Sequence, residues 1–574
     1  MGIVERIEAA RGSRPADLVL HNAMLVNVLS AEIYQTDIVV HDGLICALGD
    51  GYDALEAIDL HGQYVCPGFI DAHVHIESSL CTPPDYGRTV LARGVTTVVT
   101  DPHEIANVHG LDGIRTMLHY ADDAPLDIFV MASSCVPATA METSGATLEA
   151  DELVELLNDP RVLGLAEVMN YPGVIHAEPG MLAKLTAFRA LPIDGHAPAV
   201  TGKPLNAYVA AGIHTDHECT TLEEAQEKLR LGLTLFIREG TTTRNLRTLL
   251  PLVSPLNHTR MCFCTDDRQP SSLLDEGAID HMVRVAIAEG IDPIMSIRMG
   301  SLNTANAFRL WDRGAVAVGR RADLIVFDDL HDLRAAAVFK NGVRVAETGR
   351  MIVPRAVSGY RNAQPSLSID PAGLDFAMPA AGTQVHVIGA DPNQVVTEHL
   401  VAHARIVDGM AVADPERDLL KIAVVERHHG SGRTGKGFIS GVGLKRGALA
   451  GTVAHDHHNL VVIGADDTSM KTAARAVIAL GGGLAAADGD QVLGTLALPV
   501  AGLMTDAPID EVRAGYDELI AYARALGSTM HDPFMVMSFM GLEVIPKLKL
   551  TDFGLVDVEQ FSLIDTFMDE GKHG

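Results

Sequence analysis

The chain has 574 residues, 47% hydrophobic and only 21% charged, a composition that describes a globular protein with a large core and excludes a disordered one. Its 44 basic and 74 acidic residues leave a formal net charge of −30, which disfavours nucleic-acid backbones and anionic membranes as partners. No apolar run reaches transmembrane length, the N-terminus lacks the regions of a signal peptide, and the seven cysteines (46, 66, 81, 135, 219, 262, 264) form no Cys-x-x-Cys. A cytoplasmic protein with reduced thiols and no membrane or nucleic-acid partner is expected, built from two or three folding units.

Residues 17–66 hold short strand-like runs broken by turn-formers such as His41-Asp42-Gly43, the pattern of a small β unit. Similar runs return at Ala322–Phe327 and around the Asn341-Gly342 turn. We therefore expect 1–66 and 316–363 to be two parts of one discontinuous β domain.

Between them, over 67–315, strand-like and helix-like stretches alternate, which argues for a parallel sheet with crossover helices. The candidate strands are 68–75, 94–101, 127–134, 162–169, 192–196, 212–217, 233–238 and 260–266. Eight such strands suit a TIM-like (β/α)8 barrel, in which chemistry sits at the carboxyl ends of the strands; a doubly wound sheet is the structural alternative.

Those ends carry metal-ligand residue types. In Phe69-Ile70-Asp71-Ala72-His73-Val74-His75, residues two apart share a face, so His73 and His75 point the same way and can chelate one ion. Glu167, His196, His217 and Asp266 follow at later strand ends. A single histidine at a strand end is more often structural than a ligand, but six ligand types at successive strand ends favour metal. Four histidines and two carboxylates can hold two divalent ions if one carboxylate bridges. Glu167 is the candidate bridge, because its strand is otherwise apolar and an unpaired carboxylate there would be costly to bury.

Asp101, His103 and Glu104 after the second strand, and Arg238 with Glu239 after the seventh, are candidates for proton transfer or substrate contact. The competing readings are helix capping for the first group and a buried Arg238–Glu239 pair for the second. Asp267 competes with Asp266 for the place at the end of the eighth strand. Gly430-Ser431-Gly432-Arg433-Thr434-Gly435-Lys436-Gly437 nearly matches a phosphate loop, but Gly437 stands where a Ser or Thr belongs and Phe438–Val442 reads as a strand, so a glycine-rich turn is expected.

Residues 364–380 read as a linker, and 381–574 as an additional C-terminal α/β domain with a helix near 468–480. Its His455, His457 and His458, in Ala454-His455-Asp456-His457-His458-Asn459, either reach the active site or sit in a polar turn; the turn carries the greater weight.

These segments resemble the amidohydrolase superfamily, and within it the adenine deaminase family. The resemblance rests on Pro67–Ser79, Asp101–Val108, Glu167–Asn170, Asp194–Pro198, Cys264–Arg268, Ala454–Asn459 and Leu498–Leu503, and so spans nearly the whole chain. It implies hydrolysis of adenine to hypoxanthine and ammonia in purine salvage, by water activated between two divalent ions. Mn²⁺ or Fe²⁺ is implied, Zn²⁺ being a further option, together with a homodimer or higher homo-oligomer. Many superfamily members carry a carboxylated lysine on the fourth strand; Glu167 stands in its place. The implied roles are metal binding for His73, His75, Glu167, His196, His217 and Asp266, catalysis for Asp266, Glu104 and Asp101, and substrate contact for His103, Arg238, Glu239 and Asp267. The alternatives are a cyclic amidase of the same barrel, hydantoinase-like or dihydroorotase-like, and a metal-bearing scaffold without turnover.

Overall fold

A computed structural model describes residues 2–356, 367–391 and 395–568. Eight parallel strands close a barrel: Phe69–His75, Val95–Thr100, Asp127–Ala132, Val162–Val168, Ile193–Gly195, Thr215–Asp216, Thr234–Arg238, and Met261–Cys264 continued by Asp266–Asp267. The first five pair in chain order, as do the last three. Asp266 pairs opposite Val74, which returns the eighth strand to the first. The seam between the fifth and sixth strands is held by His214 N–H donating to the Ile193 carbonyl at 3.1 Å. There a Cβ on Gly195 would run into the Thr215 carbonyl, so only glycine lets the two strands approach.

The strand sequences explain the layer order. Val95–Thr100 reads Val-Thr-Thr-Val-Val-Thr and is buried throughout, as a parallel strand covered on both faces must be. Ile70, Ala72, Val99, Met131, Ala166, Phe236, Cys262 and Cys264 fill the barrel interior below the site. The eighth strand is shorter than its apolar pattern suggests, because Asp266 takes a left-handed φ of 56° that breaks the ladder after Cys264.

The flanking β segments share one sheet, in which Leu324–Phe327 runs antiparallel to Tyr64–Pro67. The C-terminal unit is built on an eight-stranded sheet covered by the helix Asp467–Leu480. Met470, Ala473, Ala474 and Val477 on that helix meet Ala448, Ala450, Ala485 and Ala487 on the sheet, small side chains that allow close approach. Of the expected linker, 364–366 lie outside the described residues. Beyond them Leu374 and Phe376 are buried in this same cluster, so the segment packs on the C-terminal unit. The near-match to a phosphate loop leads into the strand Thr434–Ser440, without a following helix.

The C-terminal unit sits on the barrel's site-bearing face. Thr143 donates to Asp552 from its N–H at 2.9 Å and its hydroxyl at 2.6 Å. Asn459 Nδ2 donates to the Thr143 carbonyl at 2.9 Å, and Arg513 forks onto Asp275 at 2.6 and 2.8 Å. Among the described residues, no helix is long and apolar enough to cross a membrane.

Candidate active site

His73, His75, Glu167, His196, His217 and Asp266 converge at the carboxyl end of the barrel, all of them buried. Strand ends put them there, and neighbours fix their orientation. Asp194 accepts from His73 Nδ1 at 2.9 Å, and the Asp101 carbonyl accepts from His75 Nδ1 at 3.0 Å. With both Nδ1 atoms donating, both Nε2 atoms keep their lone pairs. These two Nε2 atoms face each other at 3.1 Å, and Asp266 Oδ1 lies 3.1 Å from that of His75. Two facing lone pairs beside a carboxylate repel one another; a cation between them turns the repulsion into coordination. The chemistry of the donor set therefore fits a divalent metal.

Glu167 spans the cluster. Its Oε1 lies 3.2 Å from His75 Nε2 and 3.8 Å from His73 Nε2, while its Oε2 lies 2.7 Å from His196 Nδ1 and 3.2 Å from His217 Nε2. Burial alone would raise this carboxyl, but the His196, His217 and His75 imidazoles hold it well below the usual range, so it stays ionised. His196 Nε2 and His217 Nδ1 are buried without a hydrogen bond. The Tyr208 hydroxyl accepts from His196 N–H and donates to the Val168 carbonyl, both at 2.9 Å, tying the fourth strand to the fifth.

Asp266, and not Asp267, stands against His73 and His75. Arg238 donates to Asp266 Oδ2 at 2.8 Å and also to Glu218. The partner of Arg238 is thus Glu218, where the sequence suggests Glu239. Glu239 turns away from the cluster, and its Oε2 accepts from Leu246 N–H at 3.2 Å. Asp267 accepts from the Ser78 hydroxyl, which also lies 3.2 Å from Glu104 Oε1.

The helix-capping reading of Asp101 and Glu104 is not what the structure displays: the helix His103–Asp122 has no side-chain cap. Asp101 Oδ1 instead accepts from Ser133 at 2.8 Å, and its Oδ2 lies 3.3 Å from His103 Nδ1. Burial, then the charges of Glu77 and Asp267, push the Glu104 carboxyl well above its ordinary value.

A chamber of about 50 Å³ borders the cluster and opens beside a cavity of about 520 Å³; Glu218, Arg238, Thr243, Val395 and Ile545 line both. One side of the chamber belongs to the C-terminal unit, through His455, Asp456, Phe539, Leu542 and Ile545. His455 stacks on Phe539 with ring centroids 4.7 Å apart and its Nδ1 is 3.3 Å from Glu104 Oε1. Contrary to the favoured polar-turn reading, His455 reaches the chamber; His457 and His458 lie buried behind it. Asp194 and Glu218 are absent from the sequence assignment although Glu218 adjoins His217 and Asp194 stands two residues before His196, and that proximity is the signal that could have found them. Phe539, Leu542 and Ile545 carry no such signal, since they read as ordinary core.

Two family models match, "Amidohydrolase family" over residues 64–349 and "Adenine deaminase C-terminal domain" over 394–562. The chain is 49% identical over 563 residues to an adenine deaminase of Desulfatibacillum aliphaticivorans, covering 98% of this chain and 99% of that one. It is 46% identical over 566 residues to adenine deaminase 2 of Carboxydothermus hydrogenoformans, covering 98% and 99%. Among solved structures, one titled as an adenine deaminase matches with a TM-score of 0.45 and 19% identity, over 58% of this chain and 100% of that one. The chain is an amidohydrolase, a hydrolase barrel with a divalent-metal site, and it belongs to the adenine deaminase family.

Proposed function

We propose that the chain hydrolyses adenine to hypoxanthine and ammonia at two divalent ions held by His73, His75, Glu167, His196, His217 and Asp266. The observation that carries this reading is the Glu167 carboxylate, with one oxygen towards His73 and His75 and the other towards His196 and His217. The relatives that share the whole length of the chain are named adenine deaminases, which favours adenine over a cyclic amide. Donors of nitrogen and oxygen without thiolate suit Mn²⁺ or Fe²⁺, and also Zn²⁺. When bound, such ions supply the Lewis acidity that brings the deprotonation of water towards neutral pH.

The side chains supply the remaining steps. Asp266 takes a proton from the attacking water as a C–O bond forms at C6, then passes it to the amine as the C–N bond breaks, so that ammonia departs. Arg238 fixes Asp266 for this by binding Oδ2. Glu104, kept protonated by burial and its acidic neighbours, donates to a ring nitrogen and makes C6 more electrophilic, and it regains a proton when the new C6 hydroxyl loses its own to become the carbonyl. Asp101 orients His103 at the chamber edge. Glu104→Gln is expected to lose most turnover with its metal content intact; unchanged turnover would remove Glu104 from the mechanism.

Purine salvage by a cytoplasmic homo-oligomer completes the proposal. The seven free, buried cysteines support the reducing compartment, and the family resemblance supports the oligomer. The test of substrate class sets ammonia release from adenine against ring opening of hydantoin or dihydroorotate by the Mn²⁺-loaded protein. Turnover of adenine alone is expected; ring opening without ammonia would overturn the assignment.

A further inference from the structure

The C-terminal unit places one incompletely satisfied carboxylate on the reaction chamber. Glu167, Glu218, Asp266, Asp267 and Asp456 line it, and of these only Asp456 has a fully buried oxygen, Oδ2, without a hydrogen bond. Asp456 is 2% exposed, and its Oδ1 lies 3.4 Å from His103 Nε2. The other four are engaged: Glu167 by imidazoles, Glu218 and Asp266 by Arg238, Asp267 by Ser78. A buried carboxylate oxygen without a donor is costly, and a ligand N–H removes that cost.

The position of Asp456 matches one end of a purine. His103 lies between it and the metal cluster, with Nδ1 3.4 Å from Glu167 Oε1 and Nε2 3.4 Å from Asp456 Oδ1. One imidazole ring therefore separates Asp456 from the carboxylate that spans the cluster. That separation leaves room for a purine ring together with a polar contact at each end, C6 towards the cluster and the five-membered-ring N–H towards Asp456. Burial would raise the Asp456 carboxyl, but the neighbouring His103 lowers it, so it remains an acceptor. Phe539, Leu542 and Ile545 give this side of the chamber an apolar surface suited to a flat heterocycle.

We propose that Asp456 selects the free base, by accepting the ring N–H that a nucleoside has replaced with a bond to its sugar. The proposal rests on the adenine deaminase reading, and it makes the C-terminal unit a determinant of substrate class. A site built to take an N–H rejects an analogue lacking it, because its own acceptor is then left buried and unpaired.

The test compares adenine with 9-methyladenine in the wild-type protein, Asp456→Ala and Asp456→Glu, each with its metal content measured. The wild type is expected to prefer adenine strongly. In Asp456→Ala, KM for adenine should rise roughly 10- to 100-fold, the worth of a hydrogen bond to a charged acceptor, with a smaller change in kcat. The preference for adenine over 9-methyladenine should collapse by a similar factor, and Asp456→Glu should restore much of it. A preference unchanged in Asp456→Ala, with metal intact, overturns the proposal. Should that variant not fold, inhibition of the wild type decides: hypoxanthine is expected to inhibit and 9-methylhypoxanthine not, and equal inhibition overturns the proposal. Failure of the metal-loaded wild type to release ammonia from adenine overturns the underlying reading, and this inference with it.

Discussion

The two sides of the reaction chamber come from different parts of the chain and are built on different terms. The barrel side is dense with polar groups, several of them fixed by a neighbour: Asp194 orients His73, a carbonyl orients His75, and Arg238 holds Asp266. The C-terminal side is mostly apolar, with Phe539, Leu542 and Ile545 around His455 and the half-satisfied Asp456. A rigid polar wall suits groups that must hold metal and move protons, whereas an apolar wall with one open acceptor suits recognition of a flat, largely apolar ring. The contrast implies that chemistry and recognition are divided between the two units.

Substitutions of the ligand-type residues on the barrel side, or of the groups that orient them, should abolish or weaken metal binding, and those on the other side should leave it intact. The largest effect is expected for Glu167→Gln, with turnover at background and metal lost on desalting, as metal analysis would read. Retention of both ions there would break the comparison. Asp194→Asn removes the negative charge that accepts from His73 Nδ1 and should weaken metal affinity by about 10- to 100-fold, measured by competition with a chelator. Leu542→Ala on the opposite side should keep full metal content while raising KM for adenine several-fold and lowering stability by about 2–4 kcal/mol in denaturant titration.

The smallest effect concerns the seam between the units. Glu142 from the barrel side and Glu543 from the C-terminal side are both buried neighbours, and each keeps one carboxyl oxygen without a hydrogen-bond partner. Burial pushes the Glu543 carboxyl up from its ordinary 4.5 to about 7, and burial together with the charges of Glu543 and Asp456 raises Glu142 well above its own. The folded protein therefore holds a proton here that the unfolded chain releases. The stability linked to it is complete below pH 4.5 and is lost as pH rises through about 7. Glu543→Gln removes that titration. Its Tm relative to wild type should be near zero difference at pH 5 and higher by a few degrees at pH 8.5.

The barrel side was legible in the sequence because local rules determine it. Period-two patterning puts His73 and His75 on one face, and parallel strands deliver every ligand-type residue to the same end of the barrel. Its finer pairings were less legible. Arg238 skips the adjacent Glu239 for Glu218, because successive residues leaving a strand point in opposite directions. The C-terminal side could not be read, since docking of one unit on another places Asp456 and Phe539 there. No periodicity within Ala454–Asn459 distinguishes a polar turn in solvent from one pressed against His103. The left-handed Asp266 is similar: the residue was identifiable, and the break it introduces in the eighth strand was not.

The most direct test of the account is a metal titration of chelated protein, with ammonia release from adenine as the readout. Activity is expected to be absent after chelation and to rise with added Mn²⁺ until two equivalents per chain are bound. Full activity in the chelated protein, or saturation at a single equivalent, would contradict a centre in which Glu167 bridges two ions.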